Sequence, residues 1–203
     1  NSNQFDFNQA IKELDKQGAI DSVEQLGSQI QQIWELSKQV EFDASYNDID
    51  KVVVNGMGGS IIGTHVIQTV FKDELKIPVI ALSDYTLPEY VNEKTLFIAS
   101  SYSGNTEETL SSVVDAQQKK AKIAGICSGA KLGKFLTEND YPALIFEPKY
   151  TPNKSPRMGL GYSIFGQMAL LAKLGVLPVS EQDYDQVMEA VATAQLSFNR
   201  HIE

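Results

Sequence analysis

The sequence predicts an α/β fold: a three-layer αβα sandwich around a five-stranded parallel sheet, with further helices at the N- and C-termini. Three observations carry that expectation. Five short runs rich in β-branched and other apolar residues alternate with stretches of helical period. The runs are apolar at successive positions, so both faces of each strand are expected to be covered, as in a parallel sheet. Glycine- or serine-rich segments follow the first and third runs, at the step from strand to helix.

Residues 1–50 read as helical. Ser22-Val23-Glu24-Gln25 fits a capping box, and Val23, Leu26, Ile30, Ile33 and Val40 recur at roughly helical spacing. The period then changes. Lys51-Val52-Val53-Val54-Asn55 is a strand ending at glycines, and Ile62, Val66, Ile67, Val70 and Phe71 mark the helix after it. Further strands are expected at Ile77–Leu82, Thr95–Ala99, Lys122–Cys127 and Ala143–Phe146, with a turn around Leu87-Pro88-Glu89. Helical stretches begin near Thr106, Ala130, Met158 and Glu181. Right-handed crossovers make residues 51–177 one doubly wound domain, whose ligands would sit beyond the carboxyl ends of the strands. Residues 178–203 read as a C-terminal helix.

Composition narrows the function. Apolar residues are 42% and charged residues 21%, as in soluble globular proteins, and no apolar run approaches the roughly 18 residues that span a bilayer. No signal-peptide pattern opens the chain, so no membrane partner is expected. The single cysteine, Cys127, has no internal disulfide partner, which points to a reducing cytoplasm, and its apolar surroundings predict a core position. His65 and His201 lie far apart with no second cysteine near either, so no metal site is expected. A net charge of −9 argues against a broad basic surface and hence against nucleic acid as a partner. A small anion is still allowed, because backbone N–H groups at a helix start bind one whatever the total charge.

Two loops carry the chemistry. In Gly56-Met57-Gly58-Gly59-Ser60 the glycines let backbone approach a ligand without Cβ interference, and the next helix offers unpaired N–H groups. A dinucleotide fingerprint would need glycine where Ile61 stands, although Asp84 occupies the place of a ribose-binding acid. This loop alone leaves a phosphosugar site, a dinucleotide site and a structural turn all open. The third strand leads into Ser100-Ser101-Tyr102-Ser103-Gly104-Asn105-Thr106-Glu107-Glu108-Thr109, with Ser101, Ser103 and Thr106 around Gly104. Such spacing can wrap a phosphate in hydroxyls while a helix start adds backbone donors. An N-cap would explain one of those hydroxyls; Glu107 and Glu108 are expected to complement the helix dipole.

Together these loops resemble the archaeal and bacterial bifunctional phosphoglucose/phosphomannose isomerases, built from SIS phosphosugar-binding domains. Ser155-Pro156-Arg157-Met158-Gly159-Leu160-Gly161-Tyr162-Ser163 strengthens the likeness, since that family carries a Pro-Arg and a Gly-Tyr in the same place. The resemblance runs from about Lys51 to Leu177 and corresponds to the N-terminal half of the family's chain. It implies that Gly59, Ser60, Ser101, Ser103 and Thr106 hold a sugar phosphate. Arg157 would be the catalytic residue, its charge beside a developing enediolate. It further implies interconversion of glucose 6-phosphate, and of mannose 6-phosphate, with fructose 6-phosphate in glycolysis and gluconeogenesis. The intact enzyme would be a cytoplasmic homodimer needing no metal or organic cofactor.

The isomerisation also needs a carboxylate base and an acid. In the family these belong to motifs of a second SIS domain, and neither His201 nor Glu203 sits in a matching motif. Residues 178–203 are therefore expected to connect to such a domain. Three rivals stand beside this reading: a stand-alone phosphosugar sensor, a complete single-domain isomerase, and a dinucleotide-binding domain.

Overall fold

The computed structural model describes the backbone of residues 7–199 and the side chains of residues 9–197. The sheet forms from β1 (Lys51–Gly56), β2 (Val79–Leu82), β3 (Thr95–Ser101), β4 (Lys122–Cys127) and β5 (Ala143–Ile145). Every pairing is parallel and the order across the sheet is β2-β1-β3-β4-β5. The three-layer αβα expectation is met.

Alternation along the strands shows how the layers close. Val52, Val54, Leu96, Ile98, Ala124, Ile126 and Leu144 are buried on one face, against Ile33 of α3 (Leu26–Ser37), Ile61 and Ile67 of α4 (Gly59–Val70), and Tyr162 and Leu170 of α7 (Leu160–Lys173). Val53, Phe97, Ala99, Ile123 and Cys127 are buried on the other, against Val113 and Ala116 of α5 (Glu107–Gln118) and Leu132 and Leu136 of α6 (Ala130–Glu138). All seven residues of β3 are buried, as a central strand covered on both faces requires. Cys127 is the core residue expected of it, and burial raises its thiol pKa.

Ahead of the sheet in the chain, α1 (Phe7–Leu14), α2 (Ala19–Glu24) and α3 precede a 3-10 turn at Ala44–Asn47. The N-terminal segment is thus several elements, broken at Gly18, which has φ +69°, and again at Gln25. The capping box is not realised. Ser22 lies inside α2, where its one hydroxyl proton is shared between Gly18 O (3.0 Å) and Asn153 Oδ1 (3.1 Å). A tertiary partner has taken the hydroxyl that a cap would have used. The last helix, α8 (Glu181–Asn199), rests on α3 through a Tyr184–Trp34 ring stack at 4.9 Å.

Several boundaries shift for identifiable reasons. β2 starts at Val79, two residues late, because Pro78 has no N–H to give the ladder, although its carbonyl accepts from Val52 N. β3 runs on to Ser101, which pairs with Cys127, so the serine-rich loop starts inside the sheet. α7 begins at Leu160 behind a separate 3-10 turn, Pro156–Met158. Among the described residues, no helix is long and apolar enough to cross a membrane.

Candidate active site

The strand order brings β1 and β3 side by side while their following helices leave toward opposite faces, α4 to one and α5 to the other. At such a switch point the two helix starts splay apart and open a crevice at the carboxyl edge. Both loops singled out from the sequence lie there, since Gly56 at the end of β1 is in register with Ser100.

The loops are stitched together by buried hydrogen bonds. Ser100 Oγ donates to Ser60 O at 2.8 Å, and Tyr102 N donates to Ser60 Oγ at 3.0 Å. Ser101 Oγ and Thr106 Oγ1 lie 2.8 Å apart, and Gly104 N donates to Ser101 Oγ at 3.1 Å. Gly104 holds φ +69°, and a Cβ there would collide with the Gly129 carbonyl of the β4–α6 turn. Only glycine fits that position, both for its dihedral and for the close approach.

Thr106 stands at the N-cap position of α5, yet its side chain makes no cap bond. Its hydroxyl faces Ser101 instead, which answers the alternative that this residue is simply a helix cap. The N-cap of α4 is Gly58, with no side chain to cap and φ +56°. Two helix starts thus meet at the crevice without a side chain satisfying their N–H groups, an arrangement suited to an anion.

The third segment arrives from α7. A Cβ on Gly59 would lie 3.0 Å from Pro156 O and 3.8 Å from the Arg157 Cα, so the Arg157 turn sits directly on the glycine loop. Ser163 Oγ donates to Gly59 O at 2.9 Å. A Cβ on Gly159 would run into the Tyr102 ring. Arg157 is exposed and is one of two arginines in the chain. Of the residues named from sequence, Gly59, Ser60, Ser101, Thr106 and the Arg157 backbone are therefore brought to one edge. Ser103 is in the same turn but exposed, its Oγ accepting from Asn105 N at 3.2 Å rather than joining the others.

Sequence reasoning missed what lies underneath. Gln167 of α7 is fully buried; its Nε2 donates to Ser60 O (2.8 Å) and contacts Ser100 Oγ (3.3 Å), while its Oε1 accepts from Thr64 Oγ1 (2.8 Å). The available signal was a glutamine within the apolar stretch from Phe165 to Leu171. Tyr102 packs edge-on against Phe146 at 5.8 Å, and burial raises its phenol pKa. The space enclosed by Ser60, Ser100, Tyr102, Ile126, Phe146 and Ser163 is about 10 Å³, at the lower limit for one water. A ligand would accordingly lie on the edge rather than inside the domain.

The other candidates do not join this cluster, although Asp84 stands at the same edge, its carbonyl accepting from Asn55 Nδ2 at 2.9 Å. His65 is exposed, with Nδ1 3.3 Å from Gln68 Oε1. Asp84 uses its carboxylate on the next backbone, accepting from Tyr85 N at 2.7 Å. Arg200, His201 and Glu203 lie outside the described residues. Among the described residues, no group of three or more His, Cys, Asp and Glu is placed to hold a metal ion.

No family model matches the sequence. Among curated proteins, the bifunctional phosphoglucose/phosphomannose isomerase of Caldicellulosiruptor bescii is 45% identical over 163 residues, 80% of this chain and 47% of the relative. That of Thermoplasma volcanium is 33% identical over 177 residues, covering 82% and 54%. Among solved structures, the C-terminal domain of glucosamine-fructose-6-phosphate aminotransferase from Francisella tularensis superposes with a TM-score of 0.62. It is 15% identical, with 91% of this chain and 56% of that one covered. Tagatose-6-phosphate ketose/aldose isomerase from Escherichia coli gives 0.55 at 14% identity, covering 80% and 55%. At such identities the structures share the fold alone. The chain spans about half the length of the curated relatives it matches, and over that span its sequence is similar to the bifunctional phosphoglucose/phosphomannose isomerases.

Proposed function

We propose that this chain is the phosphosugar-binding half of an aldose–ketose isomerase that interconverts glucose 6-phosphate and mannose 6-phosphate with fructose 6-phosphate. The observation that supports it best is the meeting of three segments, Gly59–Ser60, Ser101–Thr106 and the Arg157 turn, at the β1/β3 switch point. Ser101 and Thr106 donate to the phosphate, together with backbone N–H groups at the start of α5 and that of Gly59 at the start of α4. Gly59 and Ser60 line the other side, and Ser103 closes over from the exposed rim. Arg157 stabilises the negative charge that develops on the sugar oxygens as an enediolate forms.

Moving a proton between C1 and C2 needs a carboxylate base. Glu107 and Glu108 open α5 and match no base motif, so the base and the ring-opening acid are assigned to the part of the family's length that this chain does not match. In this reading residues 1–50 are a helical flank, 51–177 the binding domain, and 178–203 the connector. The whole enzyme is a cytoplasmic homodimer without resident metal or organic cofactor, and its partners are small sugar phosphates rather than nucleic acid or membrane.

The test is a coupled assay beside calorimetry. The 203-residue chain is expected to bind fructose 6-phosphate and to turn over glucose 6-phosphate near background. General acid–base catalysis alone contributes about 10²–10⁴-fold, and the loss of substrate positioning adds to that deficit. Joining the remaining half in cis is expected to restore turnover. Ordinary enzymatic turnover by the short chain would make it a single-domain isomerase, and tight NADH binding in place of sugar phosphate would make it a dinucleotide domain.

A further inference from the structure

Arg157 rides on a stretch between β5 and α7 that has no regular structure beyond one 3-10 turn. What fixes that stretch is a side chain from the N-terminal helices, a region with no part in the site as described above. Gln29 of α3 is fully buried. Its Nε2 donates to Tyr150 O and Met158 O, each at 2.9 Å, and also lies 3.1 Å from Ser22 O. Its Oε1 accepts from Gly161 N at 3.1 Å. One amide thus grips the chain on both sides of Arg157, at residues 150, 158 and 161. Gly161 permits the grip: a Cβ there would lie 2.7 Å from the Gln29 Cβ.

Two neighbours extend the clamp. Gln32, one turn along α3, donates to Glu147 O at 2.9 Å and accepts from Tyr162 OH at 2.7 Å. Ser22 Oγ donates to Asn153 Oδ1, which itself accepts from Ser155 N at 3.1 Å. The same helices therefore hold the stretch at five or more points, but of these three side chains only Gln29 bonds to backbone on both sides of Arg157. Burying a primary amide costs free energy unless its polar atoms are satisfied, and here they are, by backbone that the site needs held.

We propose that Gln29 is a positioning residue for Arg157, setting how the guanidinium meets a sugar phosphate bound at the β1/β3 edge. This rests on the function proposed above. The phosphate cradle itself, made by the β1 and β3 loops, does not depend on Gln29. The expected signature is a split: a Gln29 variant behaves like an Arg157 variant toward a sugar phosphate and like the unsubstituted chain toward bare phosphate.

The experiment uses the 203-residue chain with Gln29→Leu, Gln29→Glu, Arg157→Ala and the double variant Gln29→Leu/Arg157→Ala. Calorimetry is run with fructose 6-phosphate and with inorganic phosphate, and amide hydrogen exchange is followed at Gly161 with β3 amides as the reference. Gln29→Leu is expected to weaken fructose 6-phosphate about tenfold or more, as Arg157→Ala does, with no further loss in the double variant. Inorganic phosphate affinity stays within about twofold, and exchange at Gly161 rises about tenfold or more while β3 is unchanged. Gln29→Glu, which keeps the acceptor for Gly161 N, recovers slow exchange at Gly161 and only part of the affinity.

Additive losses in the double variant, or equal loss of both ligands, would overturn the proposal. So would Gly161 exchange that does not respond to Gln29→Leu. Global loosening is recognised by faster exchange in β3, and a variant showing it counts against a local positioning role. If the unsubstituted chain binds inorganic phosphate but no sugar phosphate, the proposed function itself fails, and the positioning role fails with it whatever Gly161 does.

Discussion

Replacing Ser101 and Thr106 together with alanine tests the phosphate cradle at its centre. Ser101 is 1% exposed and Thr106 half-buried, and their hydroxyls already face each other at 2.8 Å. Removing Ser101 alone takes the partner from the Thr106 hydroxyl, whereas removing both leaves little unsatisfied, because Gly104 N keeps its bond to Ser101 O at 3.1 Å. Folding stability of the double variant is therefore expected to change by about 1 kcal/mol or less. Ligand binding is expected to change much more. A hydrogen bond to a charged group contributes about 1.5–3 kcal/mol, and two such bonds give about 3–6. Part of that is offset, since binding must break or share the bond the hydroxyls make to each other, so the lower end is expected: about 3 kcal/mol, or roughly a hundredfold in Kd. Calorimetry with fructose 6-phosphate measures it, with urea unfolding as the control. A Kd within threefold of the unsubstituted chain, in a protein of unchanged stability, would place the phosphate elsewhere.

Three further outcomes follow from the same geometry. Gly104→Ala meets both a left-handed backbone, costing about 1–2 kcal/mol, and the Gly129 carbonyl, so denaturation is expected to show a loss of about 2–5 kcal/mol. Gln167→Leu leaves the buried Thr64 hydroxyl without its acceptor while Ser60 O keeps Ser100 Oγ; a loss of about 1–3 kcal/mol is expected in urea unfolding, with weaker sugar-phosphate binding. Burial raises the Tyr162 phenol to about 12 and pushes that of Tyr46 upward as well. A raised folded pKa favours the fold while the phenol stays protonated, so this stabilisation is complete below about pH 10 and is lost as pH rises toward 12. Unfolding midpoints measured across that window are expected to fall, and less steeply for Tyr162→Phe; a flat profile in the unsubstituted chain would refute the assignment.

The sequence by itself determined the alternation of strand and helix, the parallel character of the sheet and the two loops that carry hydroxyls and glycines. These are local properties: side-chain period, β-branching and the demands of a tight turn act over a few residues and are written there. Ser101, Thr106 and Gly104 were legible for that reason. The capping box at Ser22 misled because the same residue pattern serves a cap or a helix interior, and the choice went to Asn153, 131 positions away. Only the tertiary structure decided that β1 and β3 are neighbours, and so that two loops far apart in the chain share one crevice. It alone gave Gln167 and Gln29 their parts. Gln29 meets its partners at separations of 121, 129 and 132 residues, and a glutamine on a helix carries no local mark of an acceptor that distant. Strand order and buried side-chain bonds follow from which surfaces pack when the chain closes on itself, and that is a property of the whole chain rather than of any stretch within it.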